Sequence, residues 1–392
     1  DLAVYLKANG LPCKLKLPPV EAFAQDSDRK EITVEVQNAE AAPRYMGVTI
    51  TGVKVAPSPE WLQRRLRAIG MNPKNNVVDI TNFVLHETGQ PLHAFDAAKI
   101  EGREVVVRTC AEGTPFVTLD GVERKLTADD LMICSAERPM CIAGVFGGLD
   151  SGISDTTTDV FIESAYFNPV WVRKTAKRFG LNTDSSFRFE RGVDPNMQVN
   201  AAKRAALLMK ELAGGEISSD ITDIYPAPIE DFRFDVSFAR IDALIGKHIP
   251  EETVRAILAA LEVKVLDEKD GVLSVAVPPY RVDVQREADL IEDILRKAKR
   301  AGATVEMVPR KVLDGKSDRG SHQGVMAKAA PFPYVGIGDV IDAAGKSAEQ
   351  HDGRALVIIL DHITDAGNLG AVSRSAEAVG ACGIVIPTSA AR

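Results

Sequence analysis

Four carboxylates lie close together in the segment RVDVQREADLIEDILR, at Asp283, Asp289, Glu292 and Asp293. On a helix, Asp289 shares a face with Glu292 and lies one turn from Asp293. Hard oxygen ligands of this type suit Mg²⁺, so the spacing predicts a magnesium site. The alternative is that these residues occupy a helix start, where the helix dipole favours negative charge.

Two further side chains could take part in acid–base or ester chemistry. Glu163 lies in FIESA, and His93 lies in QPLHAFD between Leu92 and Ala94. Taken alone, Glu163 is typical of a paired structural charge and His93 of a satisfied, half-buried residue. No serine or cysteine with a neighbouring base indicates a covalent nucleophile, and Cys141 is better explained as a small buried hydrophobic residue.

Alternating strands and amphipathic helices must position these residues. KEITVEVQ and RYMGVTITGVKV alternate and predict strands between residues 30 and 58. A helix is predicted to follow, with Ser58 as its cap, Pro59 in its first turn and Gly70 beyond its end. Short strands are expected from 75 to 165. Helices are expected at 168–180 and 196–214.

A linker around Tyr225–Pro228 precedes a smaller unit with the predicted order strand, helix, helix, strand, strand, helix. Its last helix is amphipathic and is expected to stop at Gly302. Beyond it, we predict a strand at 303–309 and a loop at 311–333. RALVIILDHI and GIVIP then read as buried parallel strands with a helix between them, which is how a doubly wound α/β sheet begins.

Bulk properties limit the class of protein. The 392 residues are 45% hydrophobic and 26% charged, as in multidomain globular proteins. No apolar run approaches the roughly 20 residues that cross a bilayer, and five scattered cysteines indicate reduced thiols in a cytoplasmic protein. The net charge is −8, with a balance of +2 in residues 297–392 and −10 before them. An acidic total does not exclude RNA binding through a local patch.

Long segments between residues 31 and 296 resemble the β chain of phenylalanyl-tRNA synthetase. The matching segments are NNVVDITNFVLHETGQPLHAFD (75–96), CIAGVFGG (141–148), FIESAYFNP (161–169), RKTAKRFGLNTDSSFRFERGVDP (173–195) and YRVDVQREADLIEDILR (280–296). The resemblance implies a tRNA-editing module at 31–222 and a small α+β domain at 228–296. Residues 1–30 would be the remnant of a preceding region, and the missing initial Met is what a fragment would show.

The same resemblance implies roles for individual residues. Glu163 would accept the hydroxyl of a mischarged tyrosine, and His93 would lie near the ester and the tRNA 3′ end. Thr81 and Asn82 would position the attacking water or the substrate amine, and Gly144 would let backbone approach the ligand. Thr81 and Asn82 could instead be a hydroxyl and an amide with a purely structural role at a strand end. Gly144 could instead be part of a simple turn. The four carboxylates would hold Mg²⁺, although Asp293 stands where the family usually has Glu.

The remaining sequence is similar to the SpoU branch of RNA ribose 2′-O-methyltransferases. GSHQGVMA (320–327) and IILDHITDAGNLGAVSRSAEAVGACGIVI (358–386) carry that resemblance. It implies a remnant of a small RNA-binding domain at 297–345 and the truncated start of a catalytic domain at 350–392. Asn368 and Arg374 would serve RNA binding and catalysis. The motifs of the S-adenosylmethionine pocket do not follow, so we do not expect that cofactor to bind.

These features together predict an α+β multidomain protein: a mixed α/β module, a small α+β domain and an incomplete doubly wound α/β C-terminal fragment. The expected function is that of a fragment of the β subunit of a phenylalanine-tRNA ligase, with hydrolytic editing of tyrosyl-tRNA(Phe). Its expected partners are tRNA(Phe) and the synthetase α subunit, in the cytoplasm. Two alternatives stay open: a truncated SpoU-like methyltransferase with an N-terminal extension, and a non-catalytic RNA or protein interaction module.

Overall fold

The computed structural model describes residues 16–28, 32–246, 248–300, 336–350, 355–359 and 381–385, with side chains omitted at 296–300, 349 and 350. The chain divides into two compact units, 1–305 and 306–392. The predicted strand at 303–309, the loop at 311–333 and the helix between the last two strands lie outside the described residues. Within the described ranges, no helix is both long enough and apolar enough to cross a membrane.

The first unit is organised around an antiparallel sheet. Its central strands are β2 (Arg44–Thr51) and β10 (Asp159–Tyr166), with β3 (Leu92–Asp96) beyond β10 and the short β11 (Glu216–Ile217) and β12 (Thr222–Ile224) against β2. Every residue of β2 is buried, as expected of a strand covered on both faces. The alternation in RYMGVTIT therefore separates two cores and does not separate a core from solvent.

Helices cover one face of this sheet. They are α1 (Glu60–Ala68), α2 (Asn76–Thr88) and α5 (Gln198–Ala213), and they bury Val48, Ile50, Val160 and Ile162 of the strands. The helix predicted from Pro59 and the helix at 196–214 are confirmed. Ser58 was predicted as the cap and Pro59 in the first turn, but Pro59 lies at the N-cap position of α1 and the Ser58 hydroxyl donates to Asp79 Oδ2 at 2.6 Å.

Helix α2 contradicts the prediction that strands dominate from residue 75. Its sequence NVVDITNFVLHET is rich in β-branched residues, which favour strands when considered locally. Packing overrides that preference: Val77, Ile80 and Val84 form a stripe that is buried against the sheet. The Asn75 side chain accepts from Val78 N at the start of the helix, and Gly89 ends it in the left-handed conformation.

A second sheet lies against the other face of the first. Its strand order is β1 (Thr33–Val36), β4 (Glu104–Thr109), β7 (Leu131–Cys134), β8 (Pro139–Ile142) and β9 (Phe146–Gly147), with β1 parallel to β4 and the other pairs antiparallel. The hairpin β5 (Pro115–Val117) and β6 (Glu123–Lys125) projects beside it. Tyr45, Phe95 and Phe161 of the first sheet share a core with β7 and β8.

Two helices close the end of this core. Helix α3 (Pro169–Phe179) confirms the helix predicted at 168–180, with Asn168 accepting from Val170 N at its start. The shorter α4 (Asp184–Phe189), which was not predicted, begins with a reciprocal capping box between Thr183 and Ser186.

The smaller domain has the element order that its sequence predicts. Strand β13 (Phe232–Ser237) is followed by α6 (Phe238–Ile245), α7 (Glu251–Ala260), β14 (Lys264–Lys269), β15 (Val272–Val277) and α8 (Glu287–Arg300). The three strands form an antiparallel sheet with β15 in the centre. Leu290, Ile291 and Ile294 of α8 join the helices and the sheet in one core.

In the second unit, the described residues form α9 (Ile337–Gln350) and two short parallel strands, β16 (Val357–Ile359) and β17 (Gly383–Val385). The parallel pairing agrees with the predicted strands. The strand at Val357–Ile359 was expected to be fully buried, and this prediction is wrong, since Ile359 is 75% exposed. The described parts of the chain are therefore a mixed α+β protein with several small sheets.

Candidate functional site

Glu163 and His93 face each other across two neighbouring strands. Glu163 in β10 is in register with His93 in β3 on one side and with Gly47 in β2 on the other. Residues paired in this way share a face, and their Cβ atoms lie about 4.5–5.5 Å apart. The two residues that the sequence left as isolated features, 70 positions apart, are thus brought together by strand register.

Tyr45 is a third member of this group, and nothing in its sequence surroundings singled it out. Its hydroxyl donates to Glu163 Oε2 at 2.8 Å, and both residues are buried. Burial raises the pKa of Glu163 to about 7, because a carboxylate loses hydration in the core, while the hydrogen bond from Tyr45 opposes that rise. Burial, followed by the charge of Glu163, raises the pKa of Tyr45.

His93 is held as a neutral imidazole. Burial lowers its pKa to about 4, so the ring carries no charge near neutral pH. The ring packs edge-on against Phe95, with centroids 4.4 Å apart. Its Nε2 atom is buried and has no hydrogen-bond partner among the described residues. Buried polar atoms are rarely left unpaired, so this nitrogen is available to a ligand or a water molecule.

Two glycines give the side chains around Glu163 and His93 their room. A Cβ atom at Gly47 would lie 2.2 Å from the Phe161 ring, so only glycine lets that ring cover β2 beside Glu163. A Cβ atom at Gly147 would lie 3.2 Å from His93 Cε1. Neither glycine was chosen from sequence, although glycine inside a strand commonly marks a close approach of this kind.

Gly144 lies at the turn between β8 and β9 with φ +67°. A Cβ atom there would meet Phe189 at 2.9 Å, Phe167 at 3.0 Å and Val172 at 3.2 Å. The turn pairs Cys141 with Gly147, which is the glycine next to His93. Gly144 therefore shapes the hairpin beside the site, and the side chains packed around it belong to the core.

The remaining predicted site residues, Thr81 and Asn82, lie on α2. The Thr81 hydroxyl donates to Val78 O at 2.8 Å, within its own helix. Helix α2 contacts β3, the strand of His93, but its buried residues belong to the core on the opposite face of the sheet. Among the described residues, no hydrogen bond connects Thr81 or Asn82 with the Glu163–His93 pair.

The four carboxylates predicted to bind magnesium are engaged in other ways. Arg281 donates to both carboxylate oxygens of Asp283 at 3.0 Å and also pairs with Asp293. Asp289 accepts the backbone N–H groups of Gln285 and Arg286 at the start of α8. In the part of the chain that the structure describes, no three acidic, histidine or cysteine side chains form a metal-binding group.

This arrangement differs from a magnesium site, because the single guanidinium of Arg281 pairs with two of the four carboxylates. It corresponds instead to the alternative of charges at a helix start, with Asp289 acting on the first turn of α8. Asn368 and Arg374 lie outside the described residues.

Two domain families match this chain. Residues 41–214 match the B3/4 domain family, and residues 234–298 match the tRNA synthetase B5 domain family. The larger and the smaller domain are therefore similar to a B3/4 domain and to a tRNA synthetase B5 domain, in that order.

Its curated relatives are beta subunits of phenylalanine–tRNA ligase. It is 60% identical over 296 residues to that subunit from Bacteroides fragilis, covering 76% of this chain and 36% of the relative. It is 56% identical over 297 residues to the one from Porphyromonas gingivalis, again covering 76% and 36%. With that of Geobacter sulfurreducens it shares 46% identity over 267 residues, 68% of this chain and 33% of the relative. The chain spans about a third of the length of these relatives.

A crystal structure of an N-terminal fragment of the phenylalanyl-tRNA synthetase beta subunit from Pyrococcus horikoshii gives a TM-score of 0.33 at 14% identity. That comparison covers 72% of this chain and 77% of that one. Residues 282–335 also match the family described as RNA 2′-O ribose methyltransferase substrate binding, which overlaps the B5 match at 282–298. The expected boundary between the small α+β domain (228–296) and the methyltransferase-like remnant (297–345) falls in this overlap, and the methyltransferase catalytic fragment stays a prediction.

Proposed function

We propose that the B3/4 domain binds the tyrosyl end of a mischarged tRNA(Phe) and hydrolyses its ester. The observation that carries the proposal is that the buried carboxylate of Glu163 accepts a hydrogen bond from the phenol of Tyr45. A neutral His93 lies beside this carboxylate. A carboxylate that binds one phenol hydroxyl on Oε2 has a second oxygen with the same chemistry. A tyrosyl substrate would donate its hydroxyl to that oxygen.

Phenylalanine would be rejected because it has no hydroxyl to offer. A site that hydrogen-bonds a substrate hydroxyl discriminates against the analogue lacking it by a factor on the order of 10⁴, since the buried acceptor stays unpaired. A pocket that only measures ring size discriminates by about 10². This difference is the reason for a second, hydrolytic site in a ligase that must separate phenylalanine from tyrosine.

His93 has the properties needed near the reacting ester. As a neutral imidazole with an unpaired Nε2, it can accept a hydrogen bond from a water molecule or from a ribose hydroxyl, depending on its tautomer. Water attack on the ester would then depend mainly on positioning and on stabilisation of the developing oxyanion. Thr81 and Asn82 remain proposed as residues that help to orient the water or the substrate amine.

The test is binding of free L-tyrosine and L-phenylalanine, measured by saturation-transfer NMR on the chain and on Glu163→Gln. We expect a tyrosine preference in the parent chain that the variant loses, because a glutamine whose oxygen holds the Tyr45 hydroxyl has only its NH₂ group left, which cannot accept a hydrogen bond from the substrate phenol. Glu35→Gln, on an exposed residue of β1, is the matched control and should keep the preference. Equal binding of both amino acids by the parent chain would refute the proposal.

The preference should also depend on pH. The ionised carboxylate accepts a phenol hydrogen bond better than the neutral acid does, so tyrosine binding should strengthen as the pH rises through about 7, where Glu163 titrates. Hydrolysis of tyrosyl-tRNA(Phe), with phenylalanyl-tRNA(Phe) as the control substrate, tests the second half of the proposal. His93→Ala should slow that hydrolysis more than it weakens binding of free tyrosine.

The wider assignment follows from the relatives. We propose that this chain acts with a catalytic α subunit and tRNA(Phe) in the cytoplasm, since its relatives are named as beta subunits of a ligase. For the segment after the B5 domain, the match at 282–335 supports contact with RNA. S-adenosylmethionine binding, measured by calorimetry, would favour the methyltransferase alternative.

A further inference from the structure

Helix α3 presents three cations on the face opposite its buried side. Val172, Thr175 and Ala176 are buried, whereas Arg173, Lys174 and Lys177 are exposed. On a helical projection these three side chains lie within about 100° of one another, because successive residues differ by about 100°. The basic face of α3, defined by these three residues, belongs to a chain whose net charge is −8.

These cations are not explained by ion pairs. The helix itself, PVWVRKTAKRF, contains no acidic residue. Arg178, one position further along, pairs with the buried Asp130, which also accepts from Thr175. Arg178 therefore attaches the helix to the core, while Arg173, Lys174 and Lys177 form no ion pair with a described residue. Three neighbouring cations that have no counter-charge in the described part of the chain repel one another and attract an anionic partner.

The helix that carries the basic face lies next to the candidate site. Val172, on the buried side of α3, meets the Cβ position of Gly144 at 3.2 Å. Gly144 turns the chain from β8 into β9, and Gly147 at the end of that hairpin lies against His93. One short hairpin thus separates the helix from the imidazole. Helix α4 packs beside α3 and exposes Phe187, over whose ring the Arg191 guanidinium lies at 3.6 Å from the centroid.

We propose that the basic face of α3 binds the phosphate backbone of the RNA whose 3′ end enters the Glu163–His93 site. The proposal rests on the function proposed above, because it takes the substrate to be an aminoacyl-tRNA. Lys and Arg bind phosphates through charge and without base specificity. The exposed Phe187–Arg191 pair provides a surface of the kind on which an unpaired base stacks. An acidic protein is the rival partner, and the experiment separates the two.

The experiment measures binding of uncharged tRNA(Phe) transcript to the full chain across a salt series. In the triple variant Arg173→Ala, Lys174→Ala, Lys177→Ala, we expect the slope of log K against log salt to fall in magnitude by about 2 to 3, at 0.7–0.9 per lost phosphate contact. The ratio of the parent chain's association constant to that of this variant should then fall about 20- to 40-fold between about 50 and 200 mM salt.

Two further variants make the result specific. Arg64→Ala, Arg65→Ala, Arg67→Ala removes the same charge from an exposed helix, α1, on the opposite face of the central sheet, and should leave the slope near that of the parent. The exchange Arg173→Lys, Lys174→Arg, Lys177→Arg keeps the charges and should keep the slope. Equal slopes for the parent and the α3 triple variant would overturn the proposal, as would an equal loss in the α1 variant. Displacement of RNA by polyglutamate at matched charge would overturn it in favour of an acidic protein.

The outcome is separable from the editing function. The α3 triple variant should keep the preference for free L-tyrosine while losing rate on tyrosyl-tRNA at limiting RNA concentration. If the parent chain binds tRNA with the expected slope but shows no tyrosine preference, the proposed editing function fails and the RNA surface stands. If the tyrosine preference is present and the slopes are equal, the surface fails and the pocket stands.

Discussion

Replacing Glu163 with Gln should stabilise the protein, by an amount that depends on pH. The folded protein raises the pKa of this carboxyl from 4.5 to about 7, chiefly through burial. A shift of this size corresponds to roughly 3 kcal/mol of unfavourable free energy for keeping the ionised form in the core, at about 1.4 kcal/mol per pKa unit. Glutamine cannot ionise, and its amide oxygen can still accept the Tyr45 hydroxyl hydrogen bond.

The sign follows from proton linkage. Between the unfolded and folded pKa values the folded state binds more protons than the unfolded state, so stability falls as pH rises. The penalty is absent below about pH 4.5, where both states are protonated, and complete above about pH 7. The Glu163→Gln variant should therefore match the parent chain in acid and exceed its stability by up to about 3 kcal/mol near pH 8.

Urea denaturation followed by tryptophan fluorescence measures this difference. The chain has two tryptophans, Trp61 and Trp171, and both lie inside the B3/4 match at 41–214, so the signal reports on the domain that contains Glu163. Glu35→Gln, at an exposed carboxylate, serves as the control and should show no such pH trend. A difference between Glu163→Gln and the parent that stays constant over this pH range, or a variant less stable than the parent near pH 8, would refute the reasoning.

Other perturbations test neighbouring parts of the argument. Tyr45→Phe removes the donor to Glu163, so the pH midpoint of tyrosine binding should move upward; an unchanged midpoint in an NMR titration would mean that the hydrogen bond has no influence on the carboxyl. Gly144→Ala combines φ +67° with contacts near 3 Å and should cost at least 1–3 kcal/mol, roughly, in the fluorescence assay; parent-like stability would contradict the described turn. Arg281→Met leaves the buried Asp293 without its guanidinium and should destabilise the smaller domain by roughly 3 kcal/mol in calorimetry, with a parent-like transition as the contrary result. Millimolar Mg²⁺ should not raise the unfolding temperature of that domain, and a rise that chelator reverses would restore the predicted magnesium site.

Local patterns were sufficient for much of the fold. The alternation in RYMGVTIT and the apolar stripe of EADLIEDILR predicted β2 and α8, because the period of two places alternate residues on opposite faces of a strand and the period of 3.6 places apolar residues on one face of a helix. The same method failed at NVVDITNFVLHET. Its β-branched residues favour a strand locally, and only packing against the sheet and α5 makes the helix the better solution. Ser58 is of a residue type that commonly caps helices, but in the folded chain its hydroxyl donates to the buried carboxylate of Asp79.

The candidate site, like the fold, was predicted only in part from the sequence. Resemblance selected Glu163 and His93 one at a time, and neither sequence context indicated that they are cross-strand partners. Tyr45, which contacts Glu163 directly, lies 118 positions away in the chain and carries no local signal. The acidic spacing at 283–293 predicted a metal site, and nothing in the sequence indicated that Arg281 pairs with both Asp283 and Asp293 in the folded chain.

The amino-acid sequence by itself determined which segments form strands and helices with one buried face, and which residue types were available for chemistry. It did so because hydrophobic periodicity and charge are properties of neighbouring residues. Only the tertiary structure decided the register that joins Tyr45, Glu163 and His93, the desolvation that moves the pKa values of these groups, and the pairing of Arg281 with two carboxylates. Those quantities depend on groups far apart in the chain, and burial and distance set their size only once the chain has folded.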